Sequence, residues 1–273
     1  MTAARPRGIT LIINNESFAH HPEHGQQSSH WSEVDVSRVK TLFAALDFSV
    51  RTMQNLSRVQ LLDILDDVAR QDHSAYDCFV LWLMSYCKRG EEVLCSDGNT
   101  IHIQTLHDIF SECRTLSGKP KLFFIQGCRG TREDVGVKVS PDSDTSSLNQ
   151  TTNVPKIVDL KSSSEQIFSR KLSLGAPVDS VVPTHADFLF AFSTVDGYVS
   201  YRNENEGSLY VRCFVEAFRE HVAHDHILDI LTVVNHEVSK TDTQRRSSGN
   251  RNRTKICKQM PEVRHTLRKK VRF

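Results

Sequence analysis

The residue whose type and setting best suit chemistry is Cys128. It stands just past an apolar run, Lys121–Gln126 (KLFFIQ), inside Gln126-Gly127-Cys128-Arg129-Gly130. A thiol at the end of a buried strand has a rigid support, and its thiolate attacks carbonyl carbon. Such an attack needs a partner that takes and returns a proton, most often histidine. Four of the thirteen histidines, His20, His21, His24 and His30, crowd one polar stretch. The spacing His20-His21-x-x-His24 invites a metal, but no second ligand group in a regular element accompanies it. A polar loop is the plainer account, and neither metal nor cofactor is expected. Taken alone, Cys128 would be a buried structural thiol, and Tyr86, after the apolar run Asp77–Ser85, an ordinary aromatic at a strand end.

The elements that must position these residues follow from periodicity. Residues 8–13 (GITLII) are a short apolar run ending at Asn14-Asn15, which predicts a first buried strand and a turn. Val34, Val39, Leu42, Phe43 and Leu46 fall at helical spacing, predicting a helix over 33–46. Phe48 to Thr52 suits a second strand. Ser57 can cap a helix whose apolar face holds Val59, Leu61, Leu62, Leu65 and Val68. Residues 77–85 and 120–127 are apolar enough to be strands covered on both faces; 104–110 is a short helix. Segment 140–180 carries ten serines without periodicity, a flexible connection. Order resumes with a strand at 186–194 and helices near 208–222 and 225–239. A polar, basic loop at 245–253 and a final edge strand within 261–273 complete the chain. Strand and helix alternating predict an α/β fold, a mostly parallel sheet with helices on both faces. In such sheets the site forms at the carboxyl ends of the strands. Ser85-Tyr86 and Gln126-Gly127-Cys128 both occupy such ends and should be neighbours.

The segment around Cys128 resembles the nucleophile signature of the caspases, Q-A-C-[RQG]-G, with Gly for Ala. The likeness extends through Gly118–Gly130 (GKPKLFFIQGCRG), Gly8–Phe18 (GITLIINNESF), Asp72–Val80 (DHSAYDCFV), Ala186–Thr194 (ADFLFAFST), Gly197–Ser208 (GYVSYRNENEGS) and His226–Val238 (HILDILTVVNHEV). It covers nearly the whole chain, in order, on both sides of the serine-rich stretch. It implies a caspase-like three-layer sandwich around a mostly parallel six-stranded sheet. It also implies a large-subunit region at 1–130, an intersubunit linker at 131–182 and a small-subunit region at 183–273. The first strand begins within eight residues of Met1, so no long recruitment domain is expected before it.

Caspases are cysteine proteases that cut after aspartate, and the resemblance assigns roles position by position. Cys128 matches the nucleophile. Gln126, Ser200 and Arg202 match the pocket that grips the aspartate side chain, where guanidinium meets carboxylate. The backbone N–H groups of Cys87 and Cys128 match the oxyanion contacts. The catalytic histidine does not match: where the family has Ser-His-Gly, this chain has Ser85-Tyr86-Cys87. A second pocket arginine is replaced by Ser29. Tyrosine, with a typical pKa near ~10, is a poor base at neutral pH. Without an imidazole, nothing protonates the leaving amine. General acid–base catalysis is typically worth ~10²–10⁴-fold. Asp159 and Asp179, in Ile157–Leu160 and Pro177–Ser180, look like processing sites for an active relative.

Bulk properties narrow the class. No apolar run approaches ~18 residues, so no transmembrane helix is expected, and 1–7 has no apolar core for a secretory signal. Seven cysteines, an odd number without CxxC spacing, favour reduced thiols and a cytoplasmic location. Residues 240–273 hold twelve Lys/Arg against two acids, a surplus of ten, although the whole chain carries only +1. Without interleaved aromatics this basic end suggests a solvated surface, not a nucleic-acid or membrane site. The leading expectation is an inactive caspase homologue that regulates apoptosis or related signalling. It would pair with an active paralogue, or with itself, or occupy caspase activators or inhibitors. The alternative is a divergent active endopeptidase cleaving after Asp.

Overall fold

The structure, a computed structural model, describes residues 6–18, 32–138, 181–203, 205–247 and 250–273. Six strands form the central sheet: β1 (Gly8–Asn14), β2 (Phe48–Gln54), β3 (Cys78–Met84), β4 (Lys121–Gln126), β5 (Phe188–Phe192) and β6 (Glu262–His265). Their spatial order is β6-β5-β4-β3-β1-β2. Every neighbouring pair is parallel except β5 with β6. Strands β1, β3 and β4 are buried along their whole length, as expected where helices cover both faces.

The alternation of side chains sorts the core into two layers. One face sends Ile12, Val80, Trp82, Leu122 and Phe124 against α1 (Ser32–Ala45), α4 (Leu209–His221) and α5 (Ile227–Lys240). The other sends Leu11, Phe79, Leu81, Phe123 and Ile125 against α2 (Arg58–Arg70) and α3 (Ile103–Ser111). Stacked rings reinforce each layer, Trp82 on Phe124 at 4.8 Å and Phe79 on Phe110 at 4.4 Å. Ser57 caps α2 as its sequence implies. Its hydroxyl accepts from the Gln60 N–H while Gln60 Oε1 accepts from the Ser57 N–H.

Three sequence expectations are corrected. Val59 is 64% exposed and does not belong to the apolar face of α2; Leu61, Leu65 and Val68 do. The loop at 245–253 is an antiparallel hairpin, Thr243–Ser247 with Asn250–Cys257. Most of its residues are polar or charged, so no apolar alternation marks it, and Glu133 pairs with both Arg245 and Lys255 to hold it. The last strand stops at His265. Beyond it the chain is irregular and returns Leu267, Val271 and Phe273 to the core. The Val271 carbonyl accepts from the Ile227 N–H (2.9 Å), satisfying the start of α5.

Two compact units are distinguished, 1–135 with 182–273, and 136–181. The first holds every element named above. Of the second, only 136–138 and 181 are described, and they form no regular element. Within the first unit, Gly130–Arg132 pairs with Gly197–Tyr198. No described helix is long and apolar enough to cross a membrane.

Candidate active site

Parallel strands β1, β3 and β4 end level with one another, so the residues that follow them meet. The Asn15 N–H donates to the Met84 carbonyl (2.9 Å) and the Ser85 N–H to the Gln126 carbonyl (3.0 Å). The Cys87 N–H then donates to the Cys128 carbonyl (2.9 Å). Ser85-Tyr86 and Gln126-Gly127-Cys128 are thus neighbours, as the topology required. Gly127 is needed for this approach: a Cβ there would overlap the Ser85 carbonyl oxygen and stand 3.6 Å from Cys87 Sγ. The same contacts bear on the expected oxyanion pair, because the Cys87 N–H already serves the Cys128 carbonyl.

Cys128 lies against Ser200. Its Sγ accepts from the Ser200 N–H (3.3 Å) and donates to the Ser200 carbonyl (3.5 Å). Burial pushes the thiol above its ordinary pKa; the Ser200 N–H, Arg202 and Arg245 offset only part of that. Cys87, buried in the apolar layer under α2 and α3, is pushed up to about 12 by burial, against the pull of Arg129. All seven cysteines are free thiols.

Two cavities open on either side of Cys128, and Tyr86 lines both. The smaller, about 120 Å³, collects Asn15, Glu16, Ser32, Gln126, Ser200 and Arg202. The larger, about 480 Å³, includes Cys87, Lys88, Arg89, Arg132, Val199 and Arg245. Among the described residues no histidine lines either. Tyr86 is half-buried, with its ring edge-on to Phe18 at a centroid distance of 5.4 Å. Gln126 Nε2 donates to Ser200 Oγ (3.2 Å), and Gln259 Nε2 donates to the same oxygen (3.3 Å) and to the Ser193 carbonyl (2.7 Å). The Tyr201 N–H donates to Gln259 Oε1 (2.7 Å), so this one glutamine fixes the loop that carries Ser200 and Arg202.

Arg129, next to Cys128, is 1% exposed. A buried guanidinium needs acids and acceptors, and it has them in a closed ring. Arg129 pairs with Glu91 and Glu262, and Arg264 pairs with the same two acids. Both guanidinium groups also lie over the Phe192 ring, at 4.1 and 4.7 Å. The ring ties the loop after Tyr86 to the edge strand β6.

The sequence-predicted residues Cys128, Tyr86, Cys87, Gln126, Ser200 and Arg202 therefore gather in one place. Ser29, His20, His21, His24, His30, Asp159 and Asp179 lie outside the described residues. Three contributors escaped sequence reasoning. Glu16 reads as a surface acid after a turn, Gln259 as part of a polar stretch and Arg245 as one of many basic residues; only tertiary contacts bring them here.

The comparisons agree with this geometry. The Caspase domain model matches residues 7–272. Caspase-3 of Mus musculus is 31% identical over 234 residues, 85% of this chain and 72% of that protein. Caspase-8 of Mus musculus is 32% identical over 277 residues, 98% of this chain and 51% of that protein. The crystal structure of Caspase-1 from Spodoptera frugiperda superposes with a TM-score of 0.76 at 27% identity, covering 98% of this chain and 89% of that one. With a matching domain model across nearly its full length, the sheet order of its fold and the cysteine at the end of the fourth strand, this chain belongs to the caspase family.

Proposed function

We propose that this chain is a catalytically inactive caspase homologue that regulates signalling, apoptosis among the candidates, by pairing with an active caspase or occupying its activators or inhibitors. The observation that carries the reading is the pair of cavities about Cys128, which among the described residues contain Tyr86 and no imidazole. Among the described residues Cys128 has no imidazole to take its proton, and burial favours the protonated thiol. The Cys87 N–H, spent on the Cys128 carbonyl, leaves the oxyanion site short of a donor. The fold around these residues is nonetheless complete, which suits a chain kept for what it binds. Seven free thiols fit a reducing, cytoplasmic setting. Asp159 and Asp179 would then be sites where an active relative cuts this chain.

The test is a mixing experiment. Purified protein is titrated into each of several active caspases while hydrolysis of an Asp-containing fluorogenic peptide is followed. A change in the partner's rate that survives Cys128→Ala is the expected result. No change with any paralogue would sink the proposal. One observation favours a divergent endopeptidase instead: Cys128 still sits beside Gln126 and Arg202. Hydrolysis by the chain alone, lost in Cys128→Ala, would establish that alternative. Under the leading reading, Tyr86→His, Cys87→Gly and Ser29→Arg together should return some activity.

A further inference from the structure

The smaller cavity beside Cys128 has a chemistry of its own. Ser32 Oγ donates to the Glu16 carboxylate and accepts from the buried Asn14 amide (2.8 Å). The Glu16 and Ser17 N–H groups both donate to Asn55 Oδ1 (3.0 and 2.9 Å), pinning the backbone. A carboxylate is thus fixed in the cavity wall. Arg202 lines the same cavity and, among the described residues, makes no ion pair. Gln126, on the same wall, is 3% exposed and its amide is already engaged with Ser200 Oγ (3.2 Å).

Three side-chain types can be set against these groups. A carboxylate would gain Arg202 but face the Glu16 carboxylate. An ammonium would gain Glu16 but face Arg202. A carboxamide satisfies both: its oxygen accepts from Arg202, and its NH₂ donates to Glu16. It brings no charge to be desolvated. A cavity of about 120 Å³ has room for such a short side chain.

We propose that this cavity binds the carboxamide side chain, asparagine or glutamine, of an extended peptide in preference to aspartate. The inference rests on taking the Cys128 cleft as a peptide-binding site. Glu16 is its specificity-determining residue.

The experiment is fluorescence polarisation with the full chain and labelled acetyl-tetrapeptide N-methylamides that differ only in the last side chain: Asn, Gln, Asp, Ala or Lys. Asn or Gln should bind at least tenfold tighter than Asp, Ala and Lys. Glu16→Gln should shrink the Asn-over-Asp ratio several-fold, and Arg202→Ala, on an exposed side chain, should weaken Asn towards Ala. Asp binding as tightly as Asn, equal affinity for Asn and Ala, or no binding of any peptide would each overturn the proposal. If Glu16→Gln fails to fold, the ratios in the unmodified chain still decide. Pairing is read separately, without peptide. A chain that binds no peptide yet alters a partner's rate defeats only the pocket claim, and the converse result defeats only the pairing claim.

Discussion

A thiol attacks only to the extent that it is ionised, and at Cys128 the balance runs against ionisation. Burial raises its pKa more than the Ser200 N–H, Arg202 and Arg245 lower it. Since the folded thiol holds its proton above the ordinary range, its reactivity should stay low at neutral pH and climb only above pH ~8.5. Alkylation rates against pH, with Cys128→Ala as the blank, measure this; a midpoint below pH 7 would show a hidden base. Tyr86→His should move the midpoint downwards. The neighbouring pair Cys87 and Gly127 carries a second prediction. The family's glycine and alanine have changed places in size here, a side chain gained at 87 and one lost at 127. A Cβ at 127 would run into the Ser85 carbonyl oxygen, while Cys87 Sγ at 3.6 Å is only in ordinary contact. Gly127→Ala should therefore cost at least roughly 1–3 kcal/mol by overpacking against backbone. Adding Cys87→Gly should recover little of that, leaving the two changes additive within about 0.5 kcal/mol in a denaturant double-mutant cycle. A larger coupling would mean that the Cys87 side chain is the obstacle.

Elements hold these residues through a few buried polar contacts, and one of them is open to a clean test. Asp35, fully buried near the start of α1, accepts from the Ser208 N–H (2.9 Å) and hydroxyl. Gly207 precedes that serine with φ +74°, and a Cβ there would run into the Asp35 carboxylate. The clamp joins α1 to the start of α4, on either side of the loop holding Arg202. Gly207→Ala combines strain with collision, so it should cost more than the ~1 kcal/mol typical of alanine at positive φ. Asp35→Ala, which orphans a buried N–H, should cost roughly 1–3 kcal/mol. Urea midpoints falling with unchanged m-values would confirm both; a wild-type midpoint for either would remove the clamp from the account. Legibility differed at this scale for physical reasons. Strands β3 and β4 announced themselves because burial on both faces demands unbroken apolar runs, and Ser57 because a capping box is local. The 243–257 hairpin was hidden, since its stability comes from cross-strand pairing and from Glu133, neither of which leaves a pattern. Cys128, Gln126 and Arg202 were legible through their motifs. Glu16 was not, because its meaning depends on Ser32, sixteen residues on, closing over it.

At the scale of the whole molecule the deciding quantity is where charge sits on the open edge of the sheet. Strand β6 pairs only with β5 in the described fold, so one row of its backbone groups faces outwards. In the proposed pairing this edge is the contact, since an open edge invites another strand. Yet Glu262 and Arg264 are committed to the ring with Arg129 and Glu91. The surrounding segment 240–273 also carries a surplus of ten positive charges in sequence, part of it met by Glu133, Glu91 and Asp187 from elsewhere in the fold. Two copies joined edge to edge about a two-fold axis would bring two such segments together. A partner whose edge is acidic or neutral would escape the repulsion, so in the proposed pairing charge would favour a heterodimer over self-pairing. Salt separates the cases. Screening shortens the reach of charge from ~14 Å at 50 mM to ~4–5 Å at 500 mM, by the square-root scaling of the Debye length. Self-association followed by sedimentation velocity should therefore strengthen as salt rises across that range, while binding to an acidic-edged relative should weaken. Self-association that weakens with salt would mean that opposite charges meet across the two-fold, and the basic segment would then favour the homodimer.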